Sequence, residues 1–135
     1  MTIAPVLTIA GSDSSGGAGI QADLKTMTML GCFGMSAITA LTAQNTTGVR
    51  EICPVPAAFL EQQIAAVCED IPPLAVKIGM VYDIPQIHAI AAAVRKYRLP
   101  HVVVDPVMVA TSGDAMLRSQ AQTALTQELF PLAEV

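Results

Sequence analysis

Residues 6–19 read VLTIAGSDSSGGAG, an apolar run that stops at Gly11 and gives way to a loop rich in glycine and serine. A short apolar run of this kind is typical of a strand that is buried on both faces. Beyond the loop, apolar residues recur at the spacing of one helix face: Ile20, Leu24 and Met27. The stretch therefore predicts a strand–loop–helix unit, the building block of α/β folds.

The same alternation continues along the chain. Further strands are predicted over residues 36–42, 74–78 and 101–104, and helices are predicted to begin near Pro56, Asp83 and Ser119. Short strands that alternate with helices of about a dozen residues indicate βαβ units and a parallel sheet. We find no internal repeat or linker, so residues 1–135 are interpreted as one structural unit of the α/β class.

Composition narrows the range of functions. Only 13% of the residues are charged, the net charge is −4, and no run of Lys or Arg occurs, which argues against a nucleic acid or an acidic membrane as partner. No apolar stretch reaches the ~18 residues of a membrane span. The three cysteines form no Cys-x-x-Cys pair, which favours reduced thiols in a cytoplasmic protein.

The low charge has two compatible explanations. Strands covered by helices on both faces need few polar residues, and part of the apolar surface could belong against a partner or a missing segment. Residues 132–135 read LAEV and resemble the start of another strand. We therefore expect the chain to stop inside a strand and to leave an apolar sheet edge uncovered.

Polar and small residues follow each predicted strand. In open parallel sheets, ligands bind beyond the carboxyl ends of the strands, so the segments that follow them should form one rim. This rim is the best indication of a ligand site that the residues alone provide. The segments are residues 11–19, 43–48, 79–83 and 105–108.

Two familiar nucleotide motifs do not fit the glycine-rich loop. Gly11 and Gly16 match the start of a P-loop, but Gly17 stands where the essential lysine should be. Gly17 and Gly19 begin a G-x-G-x-x-A pattern too far from the strand, and no acid lies between Asp23 and Glu51 to hold a ribose. A dinucleotide-dependent oxidoreductase is therefore disfavoured, although the loop amides could still approach an anion.

Single residues at this rim remain open to more than one interpretation. Asp23 could be a helix-dipole carboxylate, and Gln44 a solvated loop residue. Met80 would ordinarily fill a core. Of these residues, Asp105 gives the strongest indication of a functional role when it is considered alone. An acid that follows three valines is costly to bury unless it is paired or metal-bound. Lys77 could pair with a carboxylate, and the sequence gives it no further role.

Four co-linear segments resemble one known family. They read TIAGSDSSGGAGIQADLK at residues 8–25, MSAITALTAQNT at 35–46, KIGM at 77–80 and DPVMVATSG at 105–113. The chain is similar in these segments to the N-terminal half of the hydroxymethylpyrimidine/phosphomethylpyrimidine kinases, which are ribokinase-like enzymes. Pyridoxal kinases share the fold and parts of the pattern.

The resemblance implies a fold, a reaction and a site. It implies a ribokinase-like α/β domain, of which residues 1–135 are the N-terminal portion, in a cytoplasmic homodimer. It also implies phosphorylation of 4-amino-5-hydroxymethyl-2-methylpyrimidine and its monophosphate in thiamine biosynthesis, with ATP and Mg²⁺. Carried over by position, Asp23 and Gln44 would hydrogen-bond the aminopyrimidine edge, and Asp105 would lie near magnesium through water. The residues that would line the ring are Gly11, Ala18, Met80 and Val107.

The chain also departs from the family pattern. Members are about twice as long, and their second half supplies a Thr-Pro-Asn segment, a Gly-Thr-Gly anion-hole loop and the catalytic Cys or Asp. None of these occurs here, so the resemblance assigns no catalytic residue to this chain and places the catalytic machinery beyond Val135. Phosphoryl transfer depends on such positioning and charge stabilisation, and we expect no useful kinase activity from the chain alone. The open alternatives are a pyridoxal or pyridoxine kinase, a non-catalytic pyrimidine-binding module, and a poorly folding remnant.

Overall fold

The computed structural model describes residues 2–107 and 119–135. The segment Met108 to Gly113 of the family resemblance lies outside the described residues. In chain order the elements are β1 Pro5–Asp13, α1 Gly19–Met29, β2 Phe33–Asn45, β3 Gly48–Pro54, α2 Ala57–Asp70, β4 Ala75–Ile78, α3 Ile84–Lys96, β5 Val102–Val104 and α4 Ser119–Ala124. A π-helical turn, Leu125–Leu129, and a 3₁₀ turn, Phe130–Leu132, continue from α4.

The strands form one sheet in the order β3-β2-β1-β4-β5. β1 runs parallel to both β2 and β4, and β4 runs parallel to β5. The prediction of an α/β fold with a parallel sheet is thus confirmed for four strands. β3 was not predicted from the sequence, and it pairs antiparallel with β2 at the edge of the sheet.

The two faces of the sheet carry different chemistry. Alternate residues of β1 and β4 are buried in the main core against α2, α3 and α4, among them Leu7, Ile9 and Ile78. The residues between them face the other way, toward α1, where Thr8 and Lys77 contact Asp23. Since side chains alternate along a strand, the apolar core and this polar group occupy opposite faces of the same strands.

A buried glutamine fixes the start of α3 against the sheet. The Gln86 side chain is fully buried, its Nε2 donates to the carbonyl oxygens of Thr39 and Val55, and its Oε1 accepts from the Tyr82 amide. Asp83 caps the helix by accepting from the Gln86 amide at 3.0 Å. These bonds satisfy buried polar groups and hold the segment between β4 and α3 in place.

The last residues lie along β5. The Glu134 amide donates to the Val102 carbonyl oxygen at 2.7 Å, and the Val104 amide donates to the Val135 carbonyl oxygen at 2.9 Å. Leu132 belongs to the 3₁₀ turn, so the predicted strand over 132–135 is wrong at its first residue, and no strand is assigned to the rest. Within residues 2–107 and 119–135, no helix is long and apolar enough to cross a membrane.

Candidate functional site

Asp13 organises the glycine-rich loop. Its Oδ1 accepts hydrogen bonds from the Ser15 amide and hydroxyl, and its Oδ2 accepts from the amides of Gly17 and Ala18. Asp13 as a whole residue is only 4% exposed. One buried carboxylate therefore sets the path of the loop that contains Ala18, one of the residues predicted to line the ring.

The Asp13 carboxyl is held in its charged form. Burial raises its pKa, but the hydrogen bonds from Ser15, Ala18 and Gly17 together outweigh burial, so the pKa lies below its ordinary value. Hydrogen bonds donated to a carboxylate favour the ionised state.

The loop is tied to the end of β2. Ser14 Oγ donates to the Gln44 carbonyl oxygen at 2.6 Å and accepts from the Gln44 amide at 2.8 Å. Thr42 Oγ1 lies 3.0 Å from Gln44 Oε1 and 2.8 Å from the Ser12 carbonyl oxygen. The structure therefore brings Gln44 to the glycine-rich loop, as the rim prediction requires.

Gly11 and Met80 are in direct contact. A Cβ on Gly11 would lie 2.7 Å from Met80 Cε, so the glycine leaves the space that the methionine occupies. Met80 is buried, and its carbonyl oxygen accepts a hydrogen bond from Thr39 Oγ1 at 2.7 Å. Two of the residues predicted to line the ring thus form an apolar contact between the ends of β1 and β4.

Asp23 and Lys77 form an ion pair. Lys77 Nζ lies 3.1 Å from Asp23 Oδ1 and 3.0 Å from Asp23 Oδ2, and Thr8 Oγ1 donates to Oδ2 at 2.6 Å. The side chains of Lys77 and Asp23 are 26% and 17% exposed. The expectation that Lys77 pairs with a carboxylate is confirmed, and its main partner is the acid predicted to hold the pyrimidine.

Asp105 is a more distant carboxylate near the same lysine. Its Oδ2 is 3.9 Å from Lys77 Nζ, and its side chain is 61% exposed. The Asp105 amide donates to the Ile78 carbonyl oxygen, and the Val107 amide donates to the Asp105 carbonyl oxygen. Asp105 is thus an accessible carboxylate, not the buried acid that its position after three valines suggested.

The described residues fit magnesium only as a partial site. No group of three or more His, Cys, Asp or Glu side chains that could hold a metal occurs within residues 2–107 and 119–135. Magnesium is commonly held by one or two carboxylates together with waters and substrate phosphates. Asp105, exposed at the carboxyl end of β5, suits one such ligand position.

The role of Asp13 and the identity of the carboxylate that pairs with Lys77 were not predicted from the sequence. Asp13 carries a local signal, because an Asp side chain in a turn often accepts a hydrogen bond from the backbone two residues further on. The Lys77–Asp23 pair has no such signal, since 54 positions separate the two residues.

The chain is similar to phosphomethylpyrimidine kinases and, at lower identity, to pyridoxal kinases. The sequence model of the family described as phosphomethylpyrimidine kinase matches residues 13–135. The chain is 57% identical over 128 residues to the thiamine biosynthesis bifunctional protein ThiED of Geobacter sulfurreducens. This match covers 95% of the chain and 26% of the Geobacter protein.

Two solved structures show the same fold. Phosphomethylpyrimidine kinase from Clostridium difficile matches with a TM-score of 0.91 and 54% identity, over 96% of this chain and 56% of that one. The pyridoxal kinase from Staphylococcus aureus in complex with AMP-PCP matches with a TM-score of 0.85 and 36% identity. The match covers 98% of this chain and 48% of the pyridoxal kinase chain. The chain spans about half the length, 48%, of two curated hydroxymethylpyrimidine/phosphomethylpyrimidine kinases that it matches.

Proposed function

The chain belongs to the phosphomethylpyrimidine kinase family, and from this premise we propose that it forms the substrate-binding part of a kinase. The substrates are 4-amino-5-hydroxymethyl-2-methylpyrimidine and its monophosphate, and the pathway is thiamine biosynthesis, which the name of the Geobacter relative specifies for that protein. Residues 1–135 are the N-terminal portion of a single ribokinase-like domain in a cytoplasmic homodimer.

The observation that carries the proposal is the arrangement at the carboxyl ends of the parallel strands. A partly buried carboxylate, Asp23, lies on the α1 face of the sheet, and an apolar contact between Gly11 and Met80 lies at the strand ends. A carboxylate can accept hydrogen bonds from an amino group, and an apolar surface suits the face of a heteroaromatic ring. The Gln44 side chain can contribute both a hydrogen-bond donor and an acceptor. Ala18 and Val107 would complete the lining around the ring.

ATP and Mg²⁺ are the cofactors of the proposed reaction. The phosphoryl donor supplies the transferred group, and magnesium neutralises the charge that it carries. Asp105 is the residue of this chain that would approach the metal, through a water molecule, and its exposure at the end of β5 supports that role. The catalytic Cys or Asp and the anion-hole loop are assigned to no residue of this chain.

We base the homodimer on the family resemblance. Phe33 and Leu41 of β2, which are 50% and 49% exposed, are apolar side chains that contact with a second copy would cover.

Titration calorimetry of the 135-residue chain tests the binding role. The chain should bind 4-amino-5-hydroxymethyl-2-methylpyrimidine, and Asp23→Asn should weaken binding by about tenfold or more, because a charged acceptor is lost. Asp70→Asn is the matched control, since it makes the same charge change at the exposed end of α2 and should leave affinity unchanged. Absence of binding by a folded chain would remove the proposal.

A second candidate, pyridoxal kinase, is favoured by the 36% identity to the Staphylococcus aureus enzyme. Titration with pyridoxal under the same conditions separates the two. We expect tighter binding of the aminopyrimidine, and the reverse order would replace the substrate class. With ATP and Mg²⁺ added, we expect no phosphorylation of either compound by the 135-residue chain, and measurable turnover would contradict the assignment of the catalytic groups to residues outside it.

A further inference from the structure

Lys77 lies between two carboxylates on the α1 face of the sheet. Its ammonium is within 3.1 Å of both oxygens of Asp23 and 3.9 Å from Asp105. The Asp23 side chain is 17% exposed and the Asp105 side chain 61%. The shorter contacts and the deeper burial both make Asp23 the main partner of the lysine.

The surroundings of the ammonium restrict where it can lie. A Cβ on Gly79 would be 2.8 Å from Lys77 Nζ and 3.0 Å from Ala10 Cβ. The ammonium therefore occupies space that the side chain of any residue other than glycine at position 79 would take. Thr8, which is fully buried, donates a second hydrogen bond to Oδ2 of the same carboxylate. The pair is therefore held from two strands, unlike a mobile surface ion pair.

Within residues 2–107 and 119–135, the hydrogen bonds leave Asp23 with acceptor capacity. Oδ2 accepts from Thr8 and from Lys77, whereas Oδ1 accepts from Lys77. A carboxylate offers about four lone-pair positions, two on each oxygen. Oδ1 can therefore take one more donor, and the lysine and threonine together determine the direction in which that oxygen points.

We propose that Lys77 is a positioning residue for the pyrimidine site, which holds the Asp23 carboxylate so that Oδ1 accepts a hydrogen bond from the amino group of the ligand. The inference rests on the proposed function, because it names a determinant of how that site recognises its substrate. Lys77 acts through Asp23 and needs no contact with the ligand.

The test compares two ligands that differ only in the amino group: 4-amino-5-hydroxymethyl-2-methylpyrimidine and 5-hydroxymethyl-2-methylpyrimidine. Calorimetry of the 135-residue chain gives a dissociation constant for each ligand. The constant for the ligand without the amino group, divided by the constant for the ligand with it, measures how strongly the amino group is recognised. Lys77→Met keeps the length of the side chain and removes its charge. We expect this variant to reduce the ratio by about tenfold, since a misplaced carboxylate loses a charge-assisted hydrogen bond.

Lys96→Met is the control for loss of one positive charge, because Lys96 is exposed on α3 and should leave the ratio unchanged. If Lys77→Met does not fold, Gly79→Ala serves instead, since its Cβ displaces the ammonium while the charge remains. Equal weakening of both ligands, or an unchanged ratio in the folded variant used, would overturn the role of Lys77 and leave the proposed function intact. Failure of the unsubstituted chain to bind either ligand would overturn both proposals.

Discussion

At the scale of single residues, the glycine-rich loop depends on one carboxylate. Asp13 accepts four hydrogen bonds from Ser15, Gly17 and Ala18 while it is almost fully buried. A loop of glycine and serine has high conformational entropy when unfolded, so its ordered path must be stabilised by specific bonds. The loop that would line the ring is therefore preformed by its own sequence.

Replacing Asp13 should destabilise the protein measurably. Asp13→Asn turns one acceptor oxygen into a donor, which faces backbone N–H groups at either oxygen position, and we expect the free energy of unfolding to fall by about 1–3 kcal/mol. Urea unfolding followed by circular dichroism measures the change. Ser15→Ala removes only the hydroxyl bond and should cost about 1 kcal/mol or less; a larger loss than that of Asp13→Asn would contradict the central role of the carboxylate.

The same group should make stability depend on pH. The pKa of Asp13 is lower in the folded protein than in the unfolded chain, so its contribution is complete above the unfolded pKa, about 3.9. The contribution is lost as the pH falls through the folded pKa. The difference in unfolding free energy between the unsubstituted protein and Asp13→Asn should thus be constant from pH 7 to 5 and shrink below about pH 4. A difference that stays constant down to pH 3 would refute this.

At the scale of elements, the regular strands and helices could be predicted and β3 could not. Residues 6–10 form a nearly continuous apolar run, and the apolar residues of α1 recur at the spacing of one helix face. Both patterns indicate which residues face the sheet or the core. β3 has no such pattern, because it pairs only with β2 and exposes Arg50, Glu51 and Cys53 to solvent. The ends of the strands predicted that the loop after β1 meets the segments after β2 and β4, as the Ser14–Gln44 and Gly11–Met80 contacts show. The individual contacts could not be predicted, because they depend on packing between distant elements.

The junction between β1 and α1 should be intolerant of a side chain at Gly19. Gly19 has φ +57°, and a Cβ there would lie 2.3 Å from the Gly11 carbonyl oxygen. We expect Gly19→Ala to lower the free energy of unfolding by about 3 kcal/mol or more, because steric overlap adds to the backbone penalty. Thermal and urea unfolding measure the loss.

Gly31 provides the matched control for Gly19. Its φ is +76°, and a Cβ at Gly31 would meet no atom within 4 Å. Gly31→Ala should therefore cost only the backbone penalty, about 1–2 kcal/mol. Equal losses in the two variants would show that contact with Gly11 contributes nothing.

At the scale of the whole molecule, the two edges of the sheet differ. The edge at β5, expected to be open, is covered in part, because residues 134 and 135 hydrogen-bond to Val102 and Val104, whereas the antiparallel β3 forms the other edge. Unpaired strand edges favour association with other chains, and the tail occupies one donor and one acceptor of β5. The exposed Val103 still leaves part of the β5 face apolar.

Hydrogen exchange can measure how well the tail protects β5. The Val104 amide donates to Val135, whereas the Asp105 amide donates to Ile78 in β4. Deleting residues 134 and 135 should accelerate exchange of the Val104 amide by about tenfold, because it loses its acceptor, and leave Asp105 unchanged. Glu134→Gln retains the backbone bonds and loses only the exposed pair with His101, so it should not alter either amide. Equal acceleration at Val104 and Asp105 in the deletion would mean that the tail stabilises the entire edge, and no change at Val104 would mean that the tail does not pair with β5 in solution.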